Sequence, residues 1–545
     1  MSAIPENYLP PQGCMPDKIY PLPEVRLPYK LNTCEHFLDR HIREGRGEQV
    51  AIIHGDRRIT FNQFRDEVNR LANVLKSRGI GKYDRVMVRM PNRPEFIATC
   101  FACWRLGAVP VLTHHLLQSK DILFRANDSE AKAIVVGSDT FTAVQEALNG
   151  CPTLQTVIVC KDRVPGHLFY DDLLKEQSNQ IETTETTRLD YLRIIYSSGT
   201  TGKPKGVISE IGDMVAGIRM ANKYLLKLAP GDVLGSPPAF TFAFGFFSLM
   251  FFGHSGCTLW IKEDFDAEDM FQAIQDHRIN VLRCVPTGLR MMLGVPDSTK
   301  RYDLSSLRLC QSAGEVLPAT VVKQWTNRVG VFILHSMGSA ELNSYISTSE
   351  DMPEDKYGSL GTALPSVDYR IVGEDFKEVI PGELGELIMR APWGQTYWRR
   401  PEVQEKSVKN GWNRTSLMFK EDDDGYFWLK GRSDDMIVSS GYKVPGGEVE
   451  DALLCHPAVH EAAVVPSPHA IRGFIVKAFV VLKEGYTGSD DLTKQLKDHV
   501  KSQIEPYKYP REIEFVDGAT LPRTTTGKIQ RFVLREREAQ IKAAE

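Results

Sequence analysis

The sequence predicts an α/β protein: a large N-terminal body of layered βαβ subdomains followed by a smaller α+β C-terminal domain. Short β-branched runs alternate with helical stretches from Leu31 to about Phe427, the pattern of parallel-sheet units. A polar punctuation, GRSDD at Gly431 to Asp435, then sets off a C-terminal stretch with its own helix and strands, which reads as a second domain joined by a hinge. The chain of 545 residues also exceeds what one ordinary core holds. The expected domains are residues 1–433 and 434–545.

In chain order, RVMVRM reads as a strand and EFIATCFACWRLGA as a helix, then AKAIVVG, TVIVC, LRIIYSS, VLRCVP, LRLCQSAGE and VFILHSMG as further strands. The residues after these runs are rich in Gly, Ser, Thr and Pro, as expected of loops around a site at strand C-terminal ends. The segment 233–261 is uncharged and apolar enough to test for a membrane span. Pro237, Pro238, Gly235, Gly245, Gly253 and His254 interrupt it, so a buried strand and helix lining a pocket is expected instead. In the C-terminal domain, Glu448 to His456 reads as a helix, HEAAVV and VKAFVVL as strands, and the charged tail as a final helix.

With 42% hydrophobic and 25% charged residues and a formal charge of -4, the composition is that of a soluble enzyme, with neither a nucleic-acid surface nor a disordered polyelectrolyte. Any anionic ligand must therefore be held by local groups. Ten cysteines lie at uneven intervals, which fits reduced thiols. The close pair Cys100 and Cys103 lacks a second pair for zinc and sits in a helical pattern, so both are read as core. The N-terminus has no basic-then-apolar order, so a cytoplasmic protein without a membrane partner is expected.

The run YSSGTTGKPKG, Tyr196 to Gly206, leaves the apolar run LRII and so begins at a strand end. Gly199, Gly202 and Gly206 let backbone N–H groups converge, while Ser197, Ser198, Thr200 and Thr201 add hydroxyls. That combination suits phosphate oxygens. It is not a Walker A loop: two residues rather than four separate its glycines, and Pro204 follows Lys203. A second clue is LPRTTTGKIQR, Leu521 to Arg531, which by itself reads as a solvated lysine in a turn.

Together with SAGE (Ser312 to Glu315), GSAE (Gly338 to Glu341), Gly411–Trp412, GRSDD and SSGYKVPGGEVE (Ser439 to Glu450), in that order, these runs resemble the acyl-adenylate-forming superfamily of acyl-CoA ligases, firefly luciferase and peptide-synthetase adenylation domains. The resemblance spans about Leu31 to Arg537. Within the superfamily, SPPAFTFAFG, SAGEVLP, SDDMIVSSGY and EPYKYPREIEFVD are similar to aromatic acid CoA ligases of the 2-aminobenzoate and benzoate types.

The resemblance implies two half-reactions: a carboxylate attacks the α-phosphorus of ATP to give acyl-AMP and pyrophosphate, and the coenzyme A thiol then displaces AMP. Such chemistry is catalysed chiefly by positioning and charge neutralisation. Lys528, on a mobile domain, would contact the α-phosphate and the carboxylate. Ser197, Ser198, Gly199, Thr200, Thr201, Gly202 and Lys203 would form the phosphate loop, and Glu341 after Gly338 would hold Mg²⁺. Gly314 and Glu315 fall beside adenine, Arg432 beside the ribose, Asp434 at the hinge, and Ser440, Gly441 and Tyr442 at the pantetheine tunnel. Phe240, Phe242, Phe244 and Gly245 offer a flat site for the aromatic acid. His335 could hydrogen-bond an ortho substituent or close the pocket floor. A monomer or homodimer is expected.

Three departures from the family pattern stand out. After Trp412, where relatives run Thr-Gly-Asp, this chain reads Thr415, Ser416, Leu417. It also has Ala340 where a threonine commonly precedes the glutamate, and Val438 where many relatives carry lysine. A loop shift bringing Glu421, Asp422 or Asp423 to the ribose could compensate for Leu417. Two other functions share these motifs: a degenerate relative acting as a binding protein, and a stand-alone adenylating enzyme that loads a carrier protein.

Overall fold

The computed structural model describes the backbone of residues 4–197, 204–315, 317–439, 442–469, 473–523, 527 and 529–544. Its contacts divide the chain into two compact units. Among the described residues, one comprises 4–197, Pro204–Tyr369 and Met389–Asn413; the other comprises Arg370–Ile388 and the described part of 414–544.

The first unit contains two large sheets. One has nine strands, with Val233–Gly235, Val281–Arg283, Leu309–Ala313 and Ile333–Gly338 as parallel members. The other has eight, among them Arg85–Arg89, Val109–Leu112, Ala133–Gly137 and Thr156–Cys160 in parallel. Parallel strands need crossovers, and buried, near-continuous apolar runs supply strands covered on both faces. The expected runs therefore all became strands. The segment 233–261 folds as a strand, the helix Ala243–Ser255 and the strand Thr258–Ile261, and among the described residues no helix is long and apolar enough to cross a membrane.

Cys100 and Cys103 lie in the helix Pro94–Arg105 and are fully buried. Burial pushes both thiols upward, which makes them poor nucleophiles and core residues.

In the second unit, the strands Met436–Ser439, Tyr442–Pro445, Val459–His469, Gly473–Leu482 and Glu512–Phe515 form one sheet. The helices Gly446–Leu454 and Asp490–Gln503 give it a core of Val449, Leu453, Leu496 and Val500. The terminal helix Arg531–Ala544 is held by Glu538, which has no exposed surface, accepts from Ser467 Oγ (2.9 Å) and pairs with Lys477 Nζ (2.9 Å). The expected boundary at 433/434 falls inside this unit. Residues ahead of it pack with the C-terminal elements, as in the Lys430–Glu448 pair at 3.7 Å.

Candidate active site

The strand Tyr191–Ser197 pairs antiparallel with Lys205–Glu210 and ends where the glycine-rich loop begins. Ser197 Oγ donates to Glu341 Oε1 at 3.2 Å. Glu341 is presented by a tight turn in which Leu342 N–H donates to Ser339 Oγ (3.0 Å). Gly338 makes that turn possible: a Cβ there would stand 2.4 Å from the Asn343 carbonyl oxygen. One half-buried carboxylate beside a hydroxyl fits Mg²⁺, which binds few protein oxygens and keeps waters and substrate phosphates. Ala340 packs on the apolar cluster of Ile195, Val207 and Tyr397, so its methyl group has a packing role where relatives commonly carry a hydroxyl.

Residues alternate faces along a strand, so Arg193 shares its face with Ile195 and Ser197. It has no exposed surface; its guanidinium carbon lies 4.4 Å from the Phe246 ring centre and 5.5 Å from that of Phe247. Nη2 donates to the Ala340 carbonyl at 3.3 Å, while Nε and Nη1 have no hydrogen-bond partner among the described residues. Burial lowers its pKa to about 9, opposed by the charge of Glu341, so it stays cationic at neutral pH.

The aromatic segment divides by role. Phe240 is fully buried, with its ring 5.7 Å from that of Phe96 and its N–H bonded to Asn92 Oδ1 at 2.9 Å, a core position. Phe242 lies 4.8 Å from the His114 ring, and Phe244 sits 4.1 Å from the Arg283 guanidinium carbon. Both phenylalanines are half-buried. Gly245 is required by backbone approach, since a Cβ would meet the Ala239 carbonyl oxygen at 2.2 Å. Asn92 Nδ2 also donates to the Pro237 and Pro238 carbonyls at 3.2 and 3.0 Å, which fixes this turn from the end of a neighbouring sheet.

Gly314 has φ +87°, a left-handed conformation that glycine adopts without strain. The next residue, Glu315, accepts from Thr287 Oγ1 at 2.8 Å, and its carbonyl lies 3.0 Å from His335 Nε2. A carbonyl only accepts, so the imidazole proton sits on Nε2 and leaves Nδ1 as an acceptor. His335 is 4% exposed. Burial lowers its pKa to about 4, against the raising effect of the Glu315 bond, so the ring is neutral at pH 7.

In the second unit, Leu417 pairs directly with Arg432 across the antiparallel ladder. Glu386 accepts from Arg414 Nη2 (2.5 Å) and from Ser416 N–H (3.0 Å), while Thr415 Oγ1 donates to the Leu387 carbonyl at 2.7 Å. Asp422 stabilises the turn at the end of the hairpin: its two oxygens accept from Asp424 N–H, Tyr426 N–H and Trp428 Nε1 at 3.0–3.1 Å.

The AMP-binding enzyme pattern matches residues 38–398, and that of the AMP-binding enzyme C-terminal domain matches residues 448–528. The chain belongs to the AMP-binding enzyme family. It is 35% identical to the benzoate–CoA ligase of Thauera aromatica over 94% of this chain and 97% of that one. It is 31% identical to the acetyl-coenzyme A synthetase of Bacillus subtilis over 95% and 92%. The structure resembles that of the anthranilate CoA ligase AuaEII in complex with anthranoyl-AMP, with a TM-score of 0.86, 30% identity, and coverage of 96% of this chain and 100% of that one. Its class is that of the AMP-forming acid–thiol ligases, which use ATP, Mg²⁺ and coenzyme A.

Of the site residues expected for an AMP-binding enzyme, the structure brings Ser197 and Glu341 into contact, joins His335 to Glu315, and faces Leu417 with Arg432. Ser198, Gly199, Thr200, Thr201, Gly202, Lys203, Ser440, Gly441 and Lys528 lie outside the described residues, as do the side chains of Asp434 and Tyr442. Asp434 itself falls in the short 3-10 turn Ser433–Asp435. Sequence reasoning missed Asn92, Arg193, Arg283 and Gln311. A signal existed for the two arginines: each interrupts an otherwise apolar strand run, LRII and VLRCVP.

Proposed function

We propose that this AMP-binding enzyme activates an aromatic carboxylic acid as its acyl-AMP and transfers the acyl group to coenzyme A. The observation that carries the reading is the half-buried pair of rings Phe242 and Phe244, in a chain that resembles in structure a ligase for a 2-amino aromatic acid over nearly its whole length. A flat ring is accommodated by aromatic faces, and a few polar groups orient it. Nδ1 of His335 suits an ortho amino or hydroxyl donor.

In the first half-reaction a carboxylate oxygen bonds to the α-phosphorus and pyrophosphate leaves. Lys528 neutralises the anions that must approach one another, Lys203 and the hydroxyls of Ser197, Thr200 and Thr201 hold the β- and γ-phosphates, and Gly314 and Arg432 orient the nucleoside. Glu341 and Ser197 hold Mg²⁺, which supplies charge stabilisation when bound. In the second half-reaction the coenzyme A sulfur bonds to the acyl carbon and AMP leaves, with pantetheine passing Ser440, Gly441 and Tyr442 after rotation at Asp434. The enzyme works in the cytoplasm as a monomer or homodimer, a setting that suits its eight buried free cysteines.

One observation favours a second reading. Leu417 opposite Arg432 offers no acceptor to a ribose hydroxyl, which suits a relative with weakened ATP use acting as a binding protein. Mass-spectrometric detection of AMP and acyl-CoA decides between them. The protein is incubated with ATP, Mg²⁺, coenzyme A and single acids: benzoate, 2-aminobenzoate, hydroxybenzoates, cyclohexane carboxylate, acetate and a medium-chain fatty acid. Aryl-CoA formation at the highest rate supports the proposal; AMP with none of them supports the binding protein.

A further inference from the structure

Arg283 ends the strand Val281–Arg283, between strands whose C-terminal ends lead into the 236–245 segment and into Gly314. Such strand ends are where open α/β sheets bind ligands. Arg283 is 1% exposed. Among the described residues, every hydrogen bond it makes is to a neutral group. Nε donates to Gln311 Oε1 at 2.7 Å, and Nη1 to the Phe244 carbonyl at 2.8 Å and to the Ser248 hydroxyl. The rings of Phe244 and Phe251 lie 4.1 and 5.0 Å from its guanidinium carbon. Gln311 is itself oriented, because its Nε2 donates to Ser336 Oγ at 2.9 Å.

A buried cation costs several kcal/mol in lost hydration, and native proteins ordinarily repay that with an anion. Arg193, the other buried arginine beside the phenylalanine helix, has Glu341 in range. Arg283 pairs with no described carboxylate. Burial lowers its pKa to about 9, and it remains cationic at neutral pH. Nη2 makes no hydrogen bond to a described residue and is the guanidinium nitrogen left for a ligand. The cation therefore sits, held in place and unneutralised, next to the half-buried Phe244 ring of the acid site.

Resting on the aromatic-acid reading above, we propose that Arg283 is a specificity-determining residue that receives a second anionic group of the substrate, so that the preferred acid is an aromatic dicarboxylate. One carboxylate is adenylated and the other is neutralised by Arg283, with Phe244 and Phe251 shielding the pair from water.

The test compares kcat/KM, read as AMP release by the full-length protein with ATP, Mg²⁺ and coenzyme A, for benzoate and the ortho, meta and para benzene dicarboxylates. Wild-type protein is expected to favour one dicarboxylate over benzoate by about 30-fold or more, the size of one charge-assisted interaction. In Arg283→Met the ratio of that dicarboxylate to benzoate is expected to fall by about the same factor; a structural role would lower both rates and leave the ratio in place. Turnover of benzoate at least as good as that of every dicarboxylate by wild type overturns the inference, leaves the aryl ligase reading standing, and needs no variant. An unchanged ratio in the variant also overturns it. Turnover of neither class, with a non-aromatic acid active instead, overturns both readings.

Discussion

Leu417 faces Arg432 across the ladder of the second unit. Directly opposed residues share a sheet face, so the position where relatives carry a ribose-binding aspartate here presents a methyl-rich surface next to the arginine. With Asp422 committed to its own turn, the ladder supplies no replacement from that residue. Leu417→Asp is expected to lower the Michaelis constant for ATP by about tenfold or more, the worth of one to two charge-assisted hydrogen bonds. Initial rates at varied ATP check this, and an unchanged or raised constant would mean that the ribose is held elsewhere.

Ser416, the neighbour of Leu417, has φ +56°. Left-handed backbone costs a non-glycine residue about 1 kcal/mol. The family pattern that the chain resembles has glycine at this position, which would adopt the conformation without that cost. Ser416→Gly is expected to raise stability by up to roughly 0.5 kcal/mol, net of the extra freedom of glycine in the unfolded chain. Denaturant titration of the full-length protein measures it; a destabilised variant would show that the Ser416 side chain matters more than its backbone.

His335 gives a pH dependence of stability. Its folded pKa of about 4 lies below the usual 6.5, so as pH falls through 6.5 the unfolded chain takes up a proton that the folded protein refuses. Stability is thus full above 6.5 and is lost as pH falls towards 4. Between pH 7.5 and pH 5 this one residue removes about 2 kcal/mol. His335→Gln is expected to lose correspondingly less over that interval, read from thermal midpoints at the two pH values; an identical loss would mean that the ring is protonated in the fold.

Lys528→Ala is expected to leave the thermal midpoint unchanged and to reduce acyl-AMP formation by about 100-fold or more, because the charge acts in the transition state. Thioester formation from supplied acyl-AMP should fall far less. Equal losses in both steps would assign the lysine to domain placement instead.

Much of this architecture was legible from the chain. Runs such as AIVVG and VIVC are apolar throughout, as a strand covered on both faces requires, and they became part of Ala133–Gly137 and Thr156–Cys160. Motif order placed Ser197 and Glu341 in one site though 144 positions separate them. Backbone approach was hidden. Gly245 reads as space beside a ring, but the Ala239 carbonyl occupies that space, and Phe240 in the same run is fully buried against Phe96, a contact from a helix far away in sequence. The partners of Arg193 and Arg283 come from strands and helices far away in sequence, so single-segment patterns could flag each arginine as misplaced but not say what it faces.

The central claim is that the acid's own carboxylate attacks ATP. Carboxylate-¹⁸O-labelled acid, the most active of the aromatic series, is incubated with the enzyme, ATP, Mg²⁺ and coenzyme A, and the AMP and pyrophosphate are weighed by mass spectrometry. The account predicts one heavy oxygen in AMP, none in pyrophosphate, and aryl-CoA in equal amount to AMP. Unlabelled AMP, or label in phosphate or pyrophosphate, would contradict it.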